Sequence, residues 1–151
     1  MVTVSKKREE KLAKLVREFF AVHPDVKLVA ITGSAGKASA KIAIGTVLAQ
    51  QFDIQLRNEE PKTKADVFLQ MMGVKMPEKG LFKWWKVMRA VKKRIKAEKP
   101  EVQVIVQEFN PKELGYNDWF KAYVVPDITV VTSVTNGRMQ VEYSLEEVAN
   151  E

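Results

Sequence analysis

The residues of this chain best placed to do chemistry form one run, Gly33-Ser34-Ala35-Gly36-Lys37-Ala38-Ser39, directly after the apolar stretch Val26-Lys27-Leu28-Val29-Ala30-Ile31-Thr32. Two glycines let the backbone curl around an anion. The helix that follows points its first amides and its positive dipole end at the same place. Lys37 adds a point charge for outer phosphates. The candidate phosphate- or nucleotide-binding residues are therefore Thr32, Gly33, Ser34, Ala35, Gly36, Lys37, Ala38 and Ser39. One position is out of pattern. After the lysine such turns carry Ser or Thr, whose hydroxyl ligates the magnesium of a nucleotide. Here it is Ala38, a methyl group, and Ser39 comes one position late. The run reads as fit for phosphate and poorly equipped for metal.

The elements that position this turn follow from periodicity. Residues 5–22 read as a helix, with Leu12, Leu15, Val16 and Phe19 at helical spacing, Ser5 as N-cap and Pro24 as the stop. The run 26–32 suits a strand buried on both faces. Residues 37–51 read as a helix with Ile42, Val47 and Leu48 among its apolar positions, and 52–56 as a second strand. A polar loop at 58–64 leads to a short helix at 65–72. Helix 81–99 carries the stripe Trp84, Val87, Met88, Val91 and Ile95, and Pro100 ends it. A strand at 102–109, a helix at 111–123 and a strand at 127–134 follow. Residues 138–143 alternate like an edge strand, and Ser144 with Glu147 caps a last helix. Strands alternating with helices predict an α/β fold, a three-layer, mainly parallel sheet with helices on both faces and right-handed crossovers. In such sheets ligands sit at the carboxyl ends of strands, where the Gly33 turn falls. One domain is expected over 1–151, an N-terminal helix at 1–24 and an α/β core at 25–151.

Composition sets outer limits. At 151 residues, 46% hydrophobic and 29% charged, the chain has the make-up of a folded globular domain. With no cysteine and a single histidine, His23, neither thiolate nor histidine chemistry is expected, and a cytoplasmic setting fits. No apolar run reaches the ~20 residues of a transmembrane segment. A net charge of +6 favours anionic partners.

Several runs resemble one family. Ile31-Thr32-Gly33-Ser34-Ala35-Gly36-Lys37-Ala38-Ser39-Ala40-Lys41 resembles the ATP-binding turn of the Mur ligases, Thr-Gly-(Ser/Thr)-x-Gly-Lys-Thr-Thr-Thr-Lys. The likeness is greatest to the branch that adds D-alanyl-D-alanine to UDP-N-acetylmuramoyl-tripeptide. Val104-Ile105-Val106-Gln107-Glu108 is similar to the family's Val-x-Val-Leu-Glu, and Pro111-Lys112-Glu113-Leu114 to Pro-Gly-Asp-Ile. Pro126-Asp127-Ile128-Thr129-Val130-Val131-Thr132-Ser133-Val134 is similar to Pro-Asp-Ile-Ala-Val-Ile-Thr-Asn-Ile, and Ser144-Leu145-Glu146-Glu147-Val148-Ala149 to Ser-Leu-Glu-Gly-Val-Ala. These runs keep the family's order from about residue 26 onward.

The resemblance implies the P-loop central domain of a Mur ligase, with ATP and Mg2+ as cofactors. Glu108 then matches the magnesium-binding glutamate, and Ser39 is the other candidate metal ligand. Ala38 departs from the pattern, and Arg138 stands where the family has a histidine beside the active site. Asn58-Glu59-Glu60 is similar to an Asn-x-Glu loop, but Pro61-Lys62-Thr63-Lys64 replaces the expected Ile-Gly-x-Pro. The family's UDP-sugar domain, modified lysine and amino-acid-carrying domain would lie outside 1–151. The expected function is thus a stand-alone, catalytically degenerate member, a pseudoenzyme that binds ATP or another phosphate ligand. Its parent chemistry is ATP-dependent carboxylate–amine ligation in peptidoglycan biosynthesis.

Two other readings stay open. Helix 81–99 holds eight basic residues, one acid (Glu98) and adjacent Trp84 and Trp85. Neighbours on a helix lie ~100° apart, so one tryptophan must reach the edge or the surface. A basic, aromatic helix over residues 83–99 suits an anionic partner, whether RNA, an acidic membrane or an acidic protein. Alternatively the chain is half of a split ligase, completed by a protein partner that supplies the missing domains.

Overall fold

The computed structural model describes residues 4–77, 81–111, 115–135 and 146. Their elements run α1 (Lys6–Val22), β1 (Lys27–Thr32), α2 (Lys37–Leu48), β2 (Ile54–Leu56), α3 (Lys64–Met71), α4 (Leu81–Ile95), β3 (Val104–Glu108), α5 (Tyr116–Lys121) and β4 (Ile128–Val131). The four strands form one parallel sheet in the order β2-β3-β1-β4. This is the α/β architecture that alternating elements lead one to expect. Arg138, the strand expected at 138–143 and, apart from Glu146, the helix expected from Ser144 lie outside the described residues.

Central β1 explains the layering. Its sequence is an apolar run because both of its faces are covered. Leu28 and Ala30 join a cluster built by α1, α3, α4 and α5, while Val29 and Ile31 join one beneath α2. Register carries the same parity to β3, where Ile105 faces the first cluster and Val104 and Val106 the second. β4 is held to β1 at its start, where Asp127 accepts from the Leu28 N–H at 2.8 Å and its own N–H donates to Leu28 O. Ile128 and Val131 of β4 are exposed.

On the broader face, α1 buries Leu12, Leu15, Val16 and Phe19 against α3 and α4. Ser5 occupies its N-cap position without a side-chain capping bond. α3 is better capped. The Thr63 hydroxyl accepts from the Asp66 N–H at 3.1 Å, satisfying one of the donors a helix start leaves open. Thr63→Ala is expected to cost about 1 kcal/mol, a fall of roughly 2–4 °C in thermal midpoint that calorimetry would detect. Of the expected α4 stripe, Trp84, Val87, Val91 and Ile95 are buried and Met88 is half-buried beside them, while Trp85 lies outside. α4 stops at Ile95 rather than 99, because the chain tightens there, Ala97 N–H reaching Arg94 O, before the restriction imposed by Pro100. The helix expected over 111–123 is described as α5, six residues docked by Phe120 against Phe68 and Phe109.

α2 departs most from its expected form. It ends at Leu48, and Ile42 and Val47 are exposed rather than packed. Its inward stripe is Lys37, Lys41 and Gly45, with Ala40, Ile44 and Leu48 partly buried beside it. Gly45 permits the contact, since a Cβ there would come within 2.4 Å of Leu56 Cδ1 on β2. The helix thus turns two lysines toward the sheet. No helix among the described residues is long and apolar enough to cross a membrane.

Candidate functional site at the carboxyl ends of β1 and β3

The strand order places a switch point between β1 and β3. The chain leaves β1 for α2 on one face of the sheet and leaves β3 for α5 on the other. Open α/β sheets hold their ligands outside the strand ends at such a point. The Gly33 turn lies here, with Glu108 paired in register to Ile31.

The turn is stitched to the segment leaving β4. Gly33 has φ +127° and Gly36 φ +81°, and Gly36 stands at the N-cap of α2. A Cβ on Gly33 would lie 2.5 Å from Thr132 Oγ1 and under 3 Å from the Ser133 backbone, so glycine is required by contact as well as by φ. Ser34 N–H donates to Ser133 O at 2.8 Å, and Ala35 N–H to Ser133 Oγ at 2.9 Å. Ser34 Oγ accepts from Thr135 N–H and donates to Thr135 O. Thr132 Oγ1 meets the carbonyls of Thr32 and Ala35. The first half of the turn is thus spent on the protein itself. Any anion would face the second half, the Gly36–Ser39 start of α2, where Gly36 supplies no side-chain cap. Thr132 and Ser133 lie in a run of the family likeness, but no local pattern marks them as the pins of a turn about a hundred residues away.

Three charged side chains define the interior. Lys37 is 4% exposed and donates from Nζ to Gly33 O at 2.7 Å, curling over the turn. One helical turn on, Lys41 is 2% exposed and its Nζ lies 2.8 Å from Glu108 Oε2 and 3.5 Å from Asn58 O. Glu108 is itself 4% exposed. Lys41 closes the glycine-turn run and has no role assigned by its residue type alone. Its i, i+4 spacing from Lys37 was the available signal that both lie on one face. Ala38 and Ser39 are exposed, Ser39 about 200° around the helix from Lys37. The two candidate metal ligands, Glu108 and Ser39, are therefore on different sides of α2's first turns. With Glu108 already bonded by Lys41 and a methyl at 38, this donor set does not fit a nucleotide-bound magnesium. Among the described residues no three His, Cys, Asp or Glu side chains gather as a metal site.

The 58–60 loop completes the wall. Asn58 contributes its carbonyl to Lys41, Glu59 O accepts from Gln70 Nε2 at 3.3 Å, and Asn110 Nδ2 bonds Glu60 Oε1. Buried Gln107 links β3 to α3 through Gln70 Oε1 at 3.2 Å. Beyond this loop lies a cleft of about 530 Å³ lined by Arg57, Glu59, Lys62, Asp66 and Lys75 among others. Behind it Arg57 and Arg94 converge on Gly73, with Arg57 Nη2 on Gly73 O at 2.7 Å and Arg94 Nη1 on Met72 O at 2.9 Å. Burial lowers the Arg94 pKa, Glu101 works against that, and Arg57 adds to it.

No protein-family model, curated protein or solved structure matches this chain. What the site can do must come from its own chemistry: Lys37 and a helix start that face an anion, and a second inward lysine, Lys41, that already neutralises Glu108.

A second surface lies on the opposite layer. α1 and α4 enclose a groove of about 440 Å³ lined by Arg8, Lys11, Trp84, Trp85, Arg89 and Lys92. Arg8 sits over the Trp84 ring at 5.2 Å and Arg89 over Trp85 at 5.5 Å. Trp85 is 56% exposed.

Proposed function

We propose that this chain is a phosphate-binding α/β domain of the Mur ligase type, taking ATP or a related phosphate compound at the Gly33 turn and not carrying out ligation there. The observation that carries the reading is Lys37, buried and bonded to Gly33 O inside a glycine-bracketed turn that opens α2. Its ammonium is positioned to leave that carbonyl for a phosphate oxygen, and the α2 start adds amide donors and its dipole. The ordered likeness to the Mur ligases, from the Gly33 turn through Glu108 to Thr132, supports ATP as the first ligand to test. Ala38 and the Lys41–Glu108 pair support a site without ligase turnover, because the parent reaction uses metal to stabilise charge on the transferred phosphoryl group.

Isothermal titration with ATP tests the proposal. Binding without ATP hydrolysis or acyl-phosphate formation is expected. Lys37→Ala should weaken it by about 10- to 100-fold, the loss of one charge-assisted contact of about 1.5–3 kcal/mol. Metal-dependent micromolar binding with turnover would overturn the degenerate reading.

The α1–α4 groove favours a second reading, an interaction protein that engages an anionic partner through residues 83–99. Under it, Lys37→Ala leaves partner binding intact, while Lys92→Glu with Lys93→Glu abolishes it. The reverse pattern would sink this alternative.

A further inference from the structure

Building on the phosphate-binding reading, we infer that Lys41 is the resident cation of this site: its ammonium holds the place at Glu108 that the family likeness gives to magnesium, so the turn takes its phosphate ligand without metal. Lys41 Nζ lies 2.8 Å from Glu108 Oε2, and both side chains are almost fully enclosed, at 2% and 5% exposure. A divalent ion reaching Glu108 would have to displace that ammonium, which would then be buried beside a second positive charge. Among the described residues nothing nearby compensates. Ala38 has no donor, Ser39 faces solvent, and the carbonyl of Asn58 already receives Lys41 at 3.5 Å.

The family run also ends in a lysine at this position, so what sets this chain apart is that lysine's enclosed pairing with Glu108 together with the methyl of Ala38. Lys37 and Lys41 sit one turn apart on the inward face of α2, so a single helix delivers one ammonium to the turn and one to the strand end. The carboxylate that would recruit a metal is neutralised. Lys37 and the helix dipole remain for the anion. A buried ion pair is a poor device for stability, since apolar residues of equal volume do as well or better, and this points to a role in specificity.

The test uses the full chain with two probes, Mn2+ followed by electron paramagnetic resonance and ATP followed by calorimetry in excess EDTA or excess magnesium. Wild-type protein should bind no Mn2+ at Glu108, and its ATP affinity should agree within about two-fold between the two buffers. Lys41→Met, checked for folding by circular dichroism, should gain Mn2+ binding and lose about 10-fold or more of its ATP affinity in EDTA relative to magnesium. Adding Glu108→Gln to that variant should remove both effects. Wild-type Mn2+ uptake that Glu108→Gln abolishes, or wild-type ATP binding that needs magnesium, overturns the inference and leaves phosphate binding standing. So does a folded Lys41→Met that gains no metal. Should Lys41→Met fail to fold, the wild-type and Glu108→Gln arms decide. Absence of ATP binding in both buffers would instead defeat the phosphate reading, and the Mn2+ arm would still decide the role of Lys41.

Discussion

Lys41→Met is expected to destabilise the fold by about 3–5 kcal/mol, because it leaves Glu108 as an unpaired charge in the interior. The environment sets this size. Lys27 and Asp127 also form an ion pair, at 3.2 Å, but their side chains are 56% and 39% exposed, and losing that pair should cost at most about 1 kcal/mol. Lys41 and Glu108 pair at 2.8 Å with side chains at 2% and 5%. Glu108→Gln should act in the same direction with a smaller effect, since Lys41 Nζ keeps the Asn58 carbonyl. Lys41→Met with Glu108→Leu should recover most of the loss, as apolar replacements of both members of a buried pair commonly do. Urea unfolding of Lys41→Met, Glu108→Leu and their double variant reads the coupling directly. Additive losses would mean that the residues do not act as a pair.

Gly33→Ala is expected to cost about 3 kcal/mol, which for a chain of this size is a fall of roughly 6–12 °C in thermal midpoint. Two causes add. The backbone sits at φ +127°, and a methyl would stand 2.5 Å from Thr132 Oγ1 and 2.8 Å from Ser133 O. Relief would require the turn to part from the 132–135 segment, breaking the bonds that Ser34 and Ala35 make with Ser133. Under the phosphate-binding proposal, ATP affinity should fall along with stability, since Lys37 is anchored on the same residue. Gly36→Ala is the control. Its φ of +81° carries strain, but the nearest atom to a new Cβ is Thr132 Cβ at 3.8 Å, an ordinary contact. A cost of about 1–2 kcal/mol is expected there. Equal losses at Gly33 and Gly36 in thermal melts would show that the close approach to 132–133 does not govern the turn.

The α/β class, the buried strand into the Gly33 turn and the α4 stripe were legible because each depends on local spacing. A strand covered on both faces must be apolar throughout, as Leu28 to Ile31 are. Of two adjacent tryptophans on a helix only one can face a narrow core stripe, and Trp84 is the one inside. Boundaries were less legible. α4 and α2 each stop short of the expected end, where capping and turn formation compete over a few residues.

The site itself divides along the same line. By its own residue types the sequence determined that a glycine turn with a lysine follows a buried strand, and that position 38 offers a methyl in place of a hydroxyl. Hydrophobic patterning pointed to Ile42 and Val47 as packed positions of α2, because it assigns inward faces to apolar side chains. Tertiary structure decided otherwise. Lys41 finds Glu108 across 67 residues, and Ala35 finds Ser133 across 98. Those pairings follow from parallel register and from the side of the sheet on which α2 lands, neither of which is encoded in any short window of sequence. Burying a lysine is unfavourable until its partner arrives, so the inward turn of α2 exists only once β1 and β3 stand side by side.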